Sequence, residues 1–122
     1  MPSTTSYNTG DIVLVRFPFT DFSGSKKRPA LVVSGDAYHA FRGDSVLMLI
    51  TSRMHGESVG YNIASWREAG LLKPSFVKPV MMTVEASVVE KKLGMLSLKE
   101  TTAAKAQLFP FIFGPERQNH AH

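Results

Sequence analysis

The segment Lys-Lys-Arg-Pro at residues 26–29 closes a polar loop that follows Phe17 and leads back into an apolar run. A loop of this length between two strands is uncommon unless it binds something. The guanidinium of Arg28 offers hydrogen-bond donors in a fixed fork that matches phosphate oxygens, and Pro29 stiffens the chain directly after it. The pattern indicates a phosphate-bearing ligand with Arg28 as a contact. The alternative is a solvated cation at a strand edge.

Short apolar runs rich in β-branched residues flank this loop and recur along the chain. Each run is bounded by Gly, Pro, Ser or Asp, which is typical of strands buried on both faces. Pro79 interrupts the last of them, so an edge position or a bulge is expected there. The clear runs are Ile12–Val15, Ala30–Val33 and Val46–Ile50, and the others are Tyr61–Ala64 and Phe76–Val84.

Two Ser-x-x-Glu segments have the spacing of a helix capping box. The first, Ser65–Glu68, is followed by Gly70, which predicts a single turn. The second, Ser97–Glu100, opens an alanine-rich stretch that predicts a longer helix, and Pro110 should end or kink it near Phe109. Short strands with short connections and a helix at the end indicate an α+β, mainly β fold. We expect a small antiparallel, partly closed barrel.

Length and composition bound the class of protein. The 122 residues predict one domain at 10–114, with a flexible leader at 1–9 and a flexible tail at 115–122. The absence of cysteine excludes disulfides and zinc–thiolate sites. The first residues lack a signal-peptide pattern, and no apolar run approaches the roughly 20 residues of a membrane span. A soluble cytoplasmic protein is therefore expected.

The charge balance favours acidic partners such as nucleic acid. The net charge is +4, but the signal is modest because the cations are spread along the chain. The four histidines are scattered without paired spacing, and the carboxylates are not clustered. We therefore expect no metal site and no cofactor.

Four segments, in this order, resemble the MazF/PemK-like toxin family: Gly10–Ser34, Leu47–Arg53, Gly70–Pro79 and Lys91–Ser97. The resemblance covers nearly the whole predicted domain. It implies an SH3-like barrel with a C-terminal helix, as in MazF and CcdB, that forms a homodimer. It also implies a metal-independent, sequence-specific endoribonuclease that cleaves single-stranded mRNA. A small cognate antitoxin would silence it by lying across the RNA site.

The same resemblance implies that Arg28, Thr51 and Lys78 are catalytic. The Thr51 hydroxyl would bond a phosphate or orient the ribose 2′-hydroxyl; without the resemblance, Thr51 would be read as a β-former that ends a strand. Lys78 stands where some members carry an Arg, whose Asp partner follows two residues later. Here that position is Val80, so the acid–base pair is not present. The alternative is a binding-only or degenerate member of the fold, such as a CcdB-like gyrase inhibitor.

Further residues around these positions are candidates for RNA binding and for self-association. Aromatic rings can stack on bases, and cations can contact phosphates. For Asp21 and the two lysines, turn formation and solubility are the alternative roles. The RNA-binding candidates are Phe19, Asp21, Lys26, Lys27, Ser52 and Arg53. Apolar side chains expected at a dimer surface are Met48, Met54, Met81, Met82 and Met95.

Overall fold

The computed structural model describes residues 7–17, 26–53 and 59–114. Within these ranges the chain forms six strands, two α-helices and a short 3-10 turn at Ala86–Val88. The strands are β1 (Asp11–Phe17), β2 (Lys26–Val32), β3 (Asp44–Thr51), β4 (Tyr61–Asn62), β5 (Phe76–Glu85) and β6 (Val89–Met95). The helices are α1 (Asp36–Arg42) and α2 (Leu98–Phe113).

All strands belong to one antiparallel sheet in the order β4-β5-β3-β2-β1-β6. The strands β3, β2 and β1 occupy its centre. Among the described strands, β4 and β6 end the sheet on opposite sides and do not pair with each other, so the barrel is open. The prediction of a mainly β, antiparallel and partly closed fold is confirmed.

Apolar side chains of the central strands are buried on both faces of the sheet. The first face, which α2 covers, has Ile12, Leu31 and Met48 in one cluster with Ala104 and Leu108 of the helix. The second face has the alternate positions in a separate cluster, made of Val13, Val15, Ala30, Val32, Leu47 and Val84. This confirms the prediction from the short, nearly unbroken apolar runs, because alternating side chains of one strand reach both clusters.

The five methionines predicted to lie at a dimer surface are not all exposed. Met48 is fully buried in the core, so its placement at a surface was wrong. Met81 and Met82 are half-buried, and Met95 is 54% exposed. Met54 lies outside the described residues.

The proline in β5 marks a bulge. Ile50 pairs with Val77 and Met48 pairs with Met81, so the three residues 78–80 lie opposite the single residue Leu49. Proline has no N–H to donate to the ladder, and a bulge is one of the few places in a sheet that tolerates it. The predicted irregularity at Pro79 is confirmed.

The helices differ from the sequence-based expectation at two points. Helix α1 was not predicted, because none of its seven residues is buried and it therefore lacks an apolar periodic face. Helix α2 was expected to end or kink near Phe109, but it continues through Pro110 to Phe113. Phe109 and Ile112 both pack against the core on the first face. Their burial offsets the one backbone hydrogen bond that the proline removes.

A buried carboxylate joins the start of α2 to the chain around β4. Glu100, only 8% exposed, accepts hydrogen bonds from the Tyr61 hydroxyl (2.7 Å) and from the Ala64 N–H (2.8 Å). It also accepts from the N–H of Ser65 (3.0 Å) and from the Ser65 hydroxyl. The Ser97 hydroxyl accepts from the Glu100 N–H (3.2 Å), which confirms the predicted helix start. The Glu100 carboxylate itself reaches across to the turn at Ser65 instead of back to Ser97.

The donors around Glu100 decide its charge state. Burial alone would raise the pKa of the Glu100 carboxyl, but the hydrogen bonds from Ser65, Tyr61 and Ala64 outweigh it and hold the pKa below its ordinary value. Burial and the hydrogen bond to Glu100 raise the pKa of Tyr61 to about 12. Glu100 is therefore ionised and Tyr61 neutral at physiological pH.

Two glycines let the turn after Ser65 lie directly against β6. Gly70, with φ +93°, ends the predicted single turn. A Cβ at Gly70 would overlap the carbonyl oxygen of Leu93, and a Cβ at Gly94 would overlap the carbonyl oxygen of Ala69. The backbones of the turn and of β6 meet without intervening side chains, so neither glycine can be replaced without moving one segment.

Replacing Glu100 by Gln should lower the free energy of unfolding at pH 7 by about 1.5–3 kcal/mol. The NH2 group of the new side chain would face N–H and O–H donors that now have a carboxylate oxygen as acceptor. The folded-state pKa of Glu100 is lowered, so its stabilisation is present above its ordinary pKa of 4.5 and is lost as the pH falls through the folded value. The difference between the wild type and Glu100→Gln should therefore shrink on acidification. Urea titrations at several pH values measure it.

The matched control is Glu68→Gln, in the same turn but exposed. It should change the free energy of unfolding by no more than a few tenths of a kcal/mol. Equal stability of the two variants at pH 7 would contradict the role of Glu100.

Candidate functional site

Arg28 and Thr51 lie on one face of neighbouring strands. The pairing of β2 with β3 sets Ala30 opposite Leu49, and both residues belong to the second face. The recorded pairing ends at Ala30 and Leu49, and Arg28 and Thr51 each lie two residues beyond it on their own strand. Because side chains alternate along a strand, the two residues share the second face. The structure thus places two residues that are 23 positions apart in the sequence on one face of neighbouring strands.

The neighbours of these two residues on the outer strands are also known. Val15 pairs with Arg28, Thr51 pairs with Phe76, and Phe76 pairs with Asn62 of β4. Val15 is fully buried, whereas Arg28, Thr51 and Phe76 are partly exposed. The second face therefore changes from apolar core to accessible polar surface at the end where β1 and β2 lead into the connecting loop.

Lys78 lies beside this row on β5. It opens the bulge opposite Leu49 and is half-buried. Val77 is fully buried within the cluster of the first face, so the alternation of β5 directs Lys78 to the second face. Arg28, Thr51 and Lys78 thus stand on three successive strands, β2, β3 and β5, on the same side of the sheet.

The charge of Arg28 is not neutralised within the described part of the chain. There, no carboxylate oxygen lies within 4.0 Å of its guanidinium, and the side chain is half-buried beside the second cluster. A guanidinium without a carboxylate beside it can bind an anion through several N–H groups in a fixed fork.

The Thr51 hydroxyl shapes the turn that follows β3. It accepts a hydrogen bond from the Arg53 N–H (3.1 Å) and donates one to the Arg53 carbonyl oxygen (3.2 Å). Such a local bond fixes the direction in which the chain leaves the strand. Ser52 and Arg53 are both exposed in this turn, directly beside Thr51.

The candidate lysines of β2 differ in their surroundings. Lys26 is exposed on the second face, two residues before Arg28. Lys27 lies on the first face, opposite Arg16 of β1. There the Glu90 carboxylate is 3.1 Å from the Lys27 ammonium and 3.3 Å from the Arg16 guanidinium. The hydrogen bond from Lys27, and then that from Arg16, lowers the pKa of Glu90.

Sequence reasoning missed Arg16 and Glu90. They are 74 residues apart, and only the pairing of β1 with β2 and β6 brings them together. Phe19 and Asp21, the remaining RNA-binding candidates, lie outside the described residues.

The described residues show neither a metal cluster nor a membrane-spanning helix. Within residues 7–17, 26–53 and 59–114, no three His, Cys, Asp or Glu side chains are grouped so that they could hold a metal ion. None of the helices in those ranges has the length and apolar character needed to cross a bilayer.

Comparison with known proteins adds to this geometry. Residues 8–112 match the family model of PemK-like, MazF-like toxins of type II toxin–antitoxin systems. The chain belongs to this family. The predicted family assignment is therefore confirmed over nearly the whole chain. A comparison with curated proteins gave no match.

Solved structures of the family share the fold. A MazE–MazF complex from Deinococcus radiodurans is 20% identical, with TM-score 0.69, and the match covers 90% of this chain and 98% of that one. The Mycobacterium tuberculosis toxin MazF-mt6 is 18% identical, with TM-score 0.69 and coverage of 88% and 99%. A mycobacterial endoribonuclease in complex with its cognate antitoxin is 14% identical, with TM-score 0.65 and coverage of 92% and 97%. At these identities the likeness shows the MazF fold.

Replacing Thr51 by Val should remove the turn-forming hydrogen bonds while keeping a β-branched side chain of similar shape. We expect a loss of about 1 kcal/mol in the free energy of unfolding, because the Arg53 N–H loses its acceptor. Thr51→Ser retains the hydroxyl and should lose less. Chemical denaturation of both variants measures the difference, and a Val variant as stable as the wild type would show that the hydroxyl does not hold the turn in solution.

Proposed function

We propose that this chain is the toxin of a type II toxin–antitoxin pair and acts as a metal-independent endoribonuclease on single-stranded mRNA. The observation that carries the proposal is the shared face of Arg28, Thr51 and Lys78 within a MazF fold. Three side chains that can donate hydrogen bonds to phosphate oxygens lie on adjacent strands at an accessible end of the sheet. A cytoplasmic location accords with mRNA as the substrate.

The proposed reaction uses the ribose 2′-hydroxyl as its nucleophile. In-line attack on the adjacent phosphorus forms the new P–O bond as the 2′-hydroxyl releases its proton to water. The bond to the 5′-oxygen of the next nucleotide breaks, that oxygen takes up a proton from water, and a 2′,3′-cyclic phosphate remains. The phosphorane in between carries extra negative charge, and positioned cations lower its free energy. Arg28 would contact two of its oxygens through the guanidinium fork, and Lys78 would add a point charge. The Thr51 hydroxyl would orient the 2′-hydroxyl or a phosphate oxygen.

The rest of the RNA would lie across the loops next to this face. Lys26 and Arg53 are exposed there and would contact neighbouring phosphates, with Ser52 beside them. Lys27 would contact a phosphate from the first face of the sheet. Phe19 would stack on a base, and Asp21 would take part in base recognition, both from the segment between β1 and β2.

A second candidate function is binding without cleavage, as in a CcdB-like gyrase inhibitor. Two observations favour it. Val80 occupies the place of the carboxylate that some members use as a base. The Thr51 hydroxyl already has two partners in the Arg53 backbone. An RNA cleavage assay separates the two functions directly.

The proposed partners are a second copy of this chain and a cognate antitoxin. Structures that share the fold include complexes named for MazE with MazF and for an endoribonuclease with its cognate antitoxin. Three large apolar side chains close in sequence to the contact of Gly70 with Gly94 are exposed, and we infer that they form one apolar patch: Leu72 is 94%, Met95 54% and Leu98 83% exposed. Such a patch supports self-association, because monomers seldom leave it uncovered.

The purified protein should cleave a long single-stranded RNA in excess EDTA. The upstream fragment should end in a 2′,3′-cyclic phosphate and the downstream fragment should begin with a 5′-hydroxyl, as mass spectrometry of the fragments would show. Once the cut is mapped, a substrate with 2′-deoxyribose at that position alone should bind and stay intact. Cutting of that substrate would overturn the mechanism, and loss of cutting in EDTA would overturn metal independence.

Arg28→Lys is the matched variant in this assay, because it keeps the charge and removes the fork. It should lower turnover by on the order of 100-fold, the effect of losing one transition-state donor. Thr51→Val should lower turnover more than RNA affinity. Normal cleavage by both folded variants would exclude these residues from the site.

Leu98→Lys should weaken the homodimer, because it places a charge on the exposed apolar patch next to β6. Light scattering at micromolar concentration should give the mass of a dimer for the wild type and a shift toward the monomer for the variant. Phe41→Lys makes the same change on α1, where the side chain is 85% exposed, and should leave the dimer intact. A monomeric wild-type protein would contradict the proposed dimer.

A further inference from the structure

We propose that Arg16 and Lys27 form a second phosphate-binding subsite for RNA, which the Glu90 carboxylate occupies when RNA is absent. This subsite rests on the proposed function as an RNA-binding toxin. It adds one contact, Arg16, and one competing residue, Glu90, which the sequence did not indicate. It also predicts that the charge of Glu90 limits the affinity for RNA.

The geometry of the cluster is that of a bound anion. Arg16 and Lys27 are directly paired across β1 and β2, on the first face of the sheet. One carboxylate oxygen of Glu90 lies 3.1 Å from the Lys27 ammonium, and the other lies 3.3 Å from the Arg16 guanidinium. A phosphodiester group also presents two unesterified oxygens on one centre. It can therefore take the place of the carboxylate between the same two cations.

The cluster is open to exchange. The side chains of Arg16, Lys27 and Glu90 are 47%, 48% and 35% exposed. Ion pairs at this exposure are weak, because water and salt screen them, so a phosphate can displace the carboxylate without a large penalty. Lys27, and then Arg16, keeps the pKa of Glu90 below its ordinary value, so the carboxylate is charged at neutral pH and competes with phosphate.

The position of the cluster places it within reach of the same RNA strand. Lys27 and Arg28 are consecutive, with Cα atoms about 3.8 Å apart, and project to opposite faces of β2. Both lie near the end of the sheet, where β1 ends at Phe17 and β2 begins at Lys26. A backbone that crosses the ends of these strands meets Arg28 on the second face and the pair of Lys27 and Arg16 on the first.

The test is the affinity of Glu90→Gln for RNA that cannot be cleaved. The probe is a fluorescein-labelled 12-nucleotide RNA of random sequence with a 2′-O-methyl group on every ribose, and the measurement is anisotropy at low salt. The control is Glu85→Gln, which changes the net charge by the same amount. Glu85 is exposed and is the last residue of β5, where it pairs with Asp44. Glu90→Gln should bind roughly two- to fivefold more tightly than the control, since it removes the carboxylate that competes with phosphate for Arg16 and Lys27.

The same substitution in a second background identifies the cause. Glu90→Gln and Glu85→Gln are each added to a protein that already carries Arg16→Gln and Lys27→Gln. In this background the two triple variants should bind the RNA with equal affinity. A gain that persists there would be a general charge effect and would overturn the subsite. So would equal affinity of Glu90→Gln and Glu85→Gln, or weaker binding by a folded Glu90→Gln, and either result would leave the proposed function intact. Failure of the wild type to bind the RNA would overturn both.

Discussion

The buried Glu100 carboxylate is the interaction on which the rest of the structure depends. A charge in that position is unfavourable unless donors surround it, and here Tyr61, Ala64 and Ser65 supply them. All three belong to the segment that contains β4 and the turn after it. One side chain at the start of α2 therefore fixes the entry of the helix and the short edge strand together. Because β4 pairs with the start of β5, this constraint reaches the strand that carries Lys78.

The burial of the strand residues changes from one end of the sheet to the other. At one end both faces are buried under apolar side chains. Toward the other end the same alternating positions of β2 and β3 become Arg28 and Thr51, which are partly exposed. The proposed catalytic groups are thereby anchored on strands whose other residues form the core, which fixes their positions relative to one another.

Local chemistry made much of the fold predictable, whereas long-range pairing did not. The central strands were evident from their unbroken β-branched runs, and the bulge followed from Pro79. Helix α1 could not be predicted because none of its residues is buried. The continuation of α2 through Pro110 depends on the packing of Phe109 and Ile112. The same division holds at the site. Arg28 was suggested by its own chemistry and by the family resemblance. The contacts of Glu90 with Arg16 and Lys27 depend on the register of β1, β2 and β6, which no sequence spacing reveals.

The bulge at residues 78–80 has an evolutionary consequence. Three residues stand there against one on β3, so their side chains are released from the strict pairing that governs the remainder of β5. Val80 is 44% exposed, and its side chain contributes little to the core. Substitutions at Val80 should therefore have little effect on folding, while they change the group that this position presents to the solvent. The chemistry at this position can therefore vary while the sheet around it is retained.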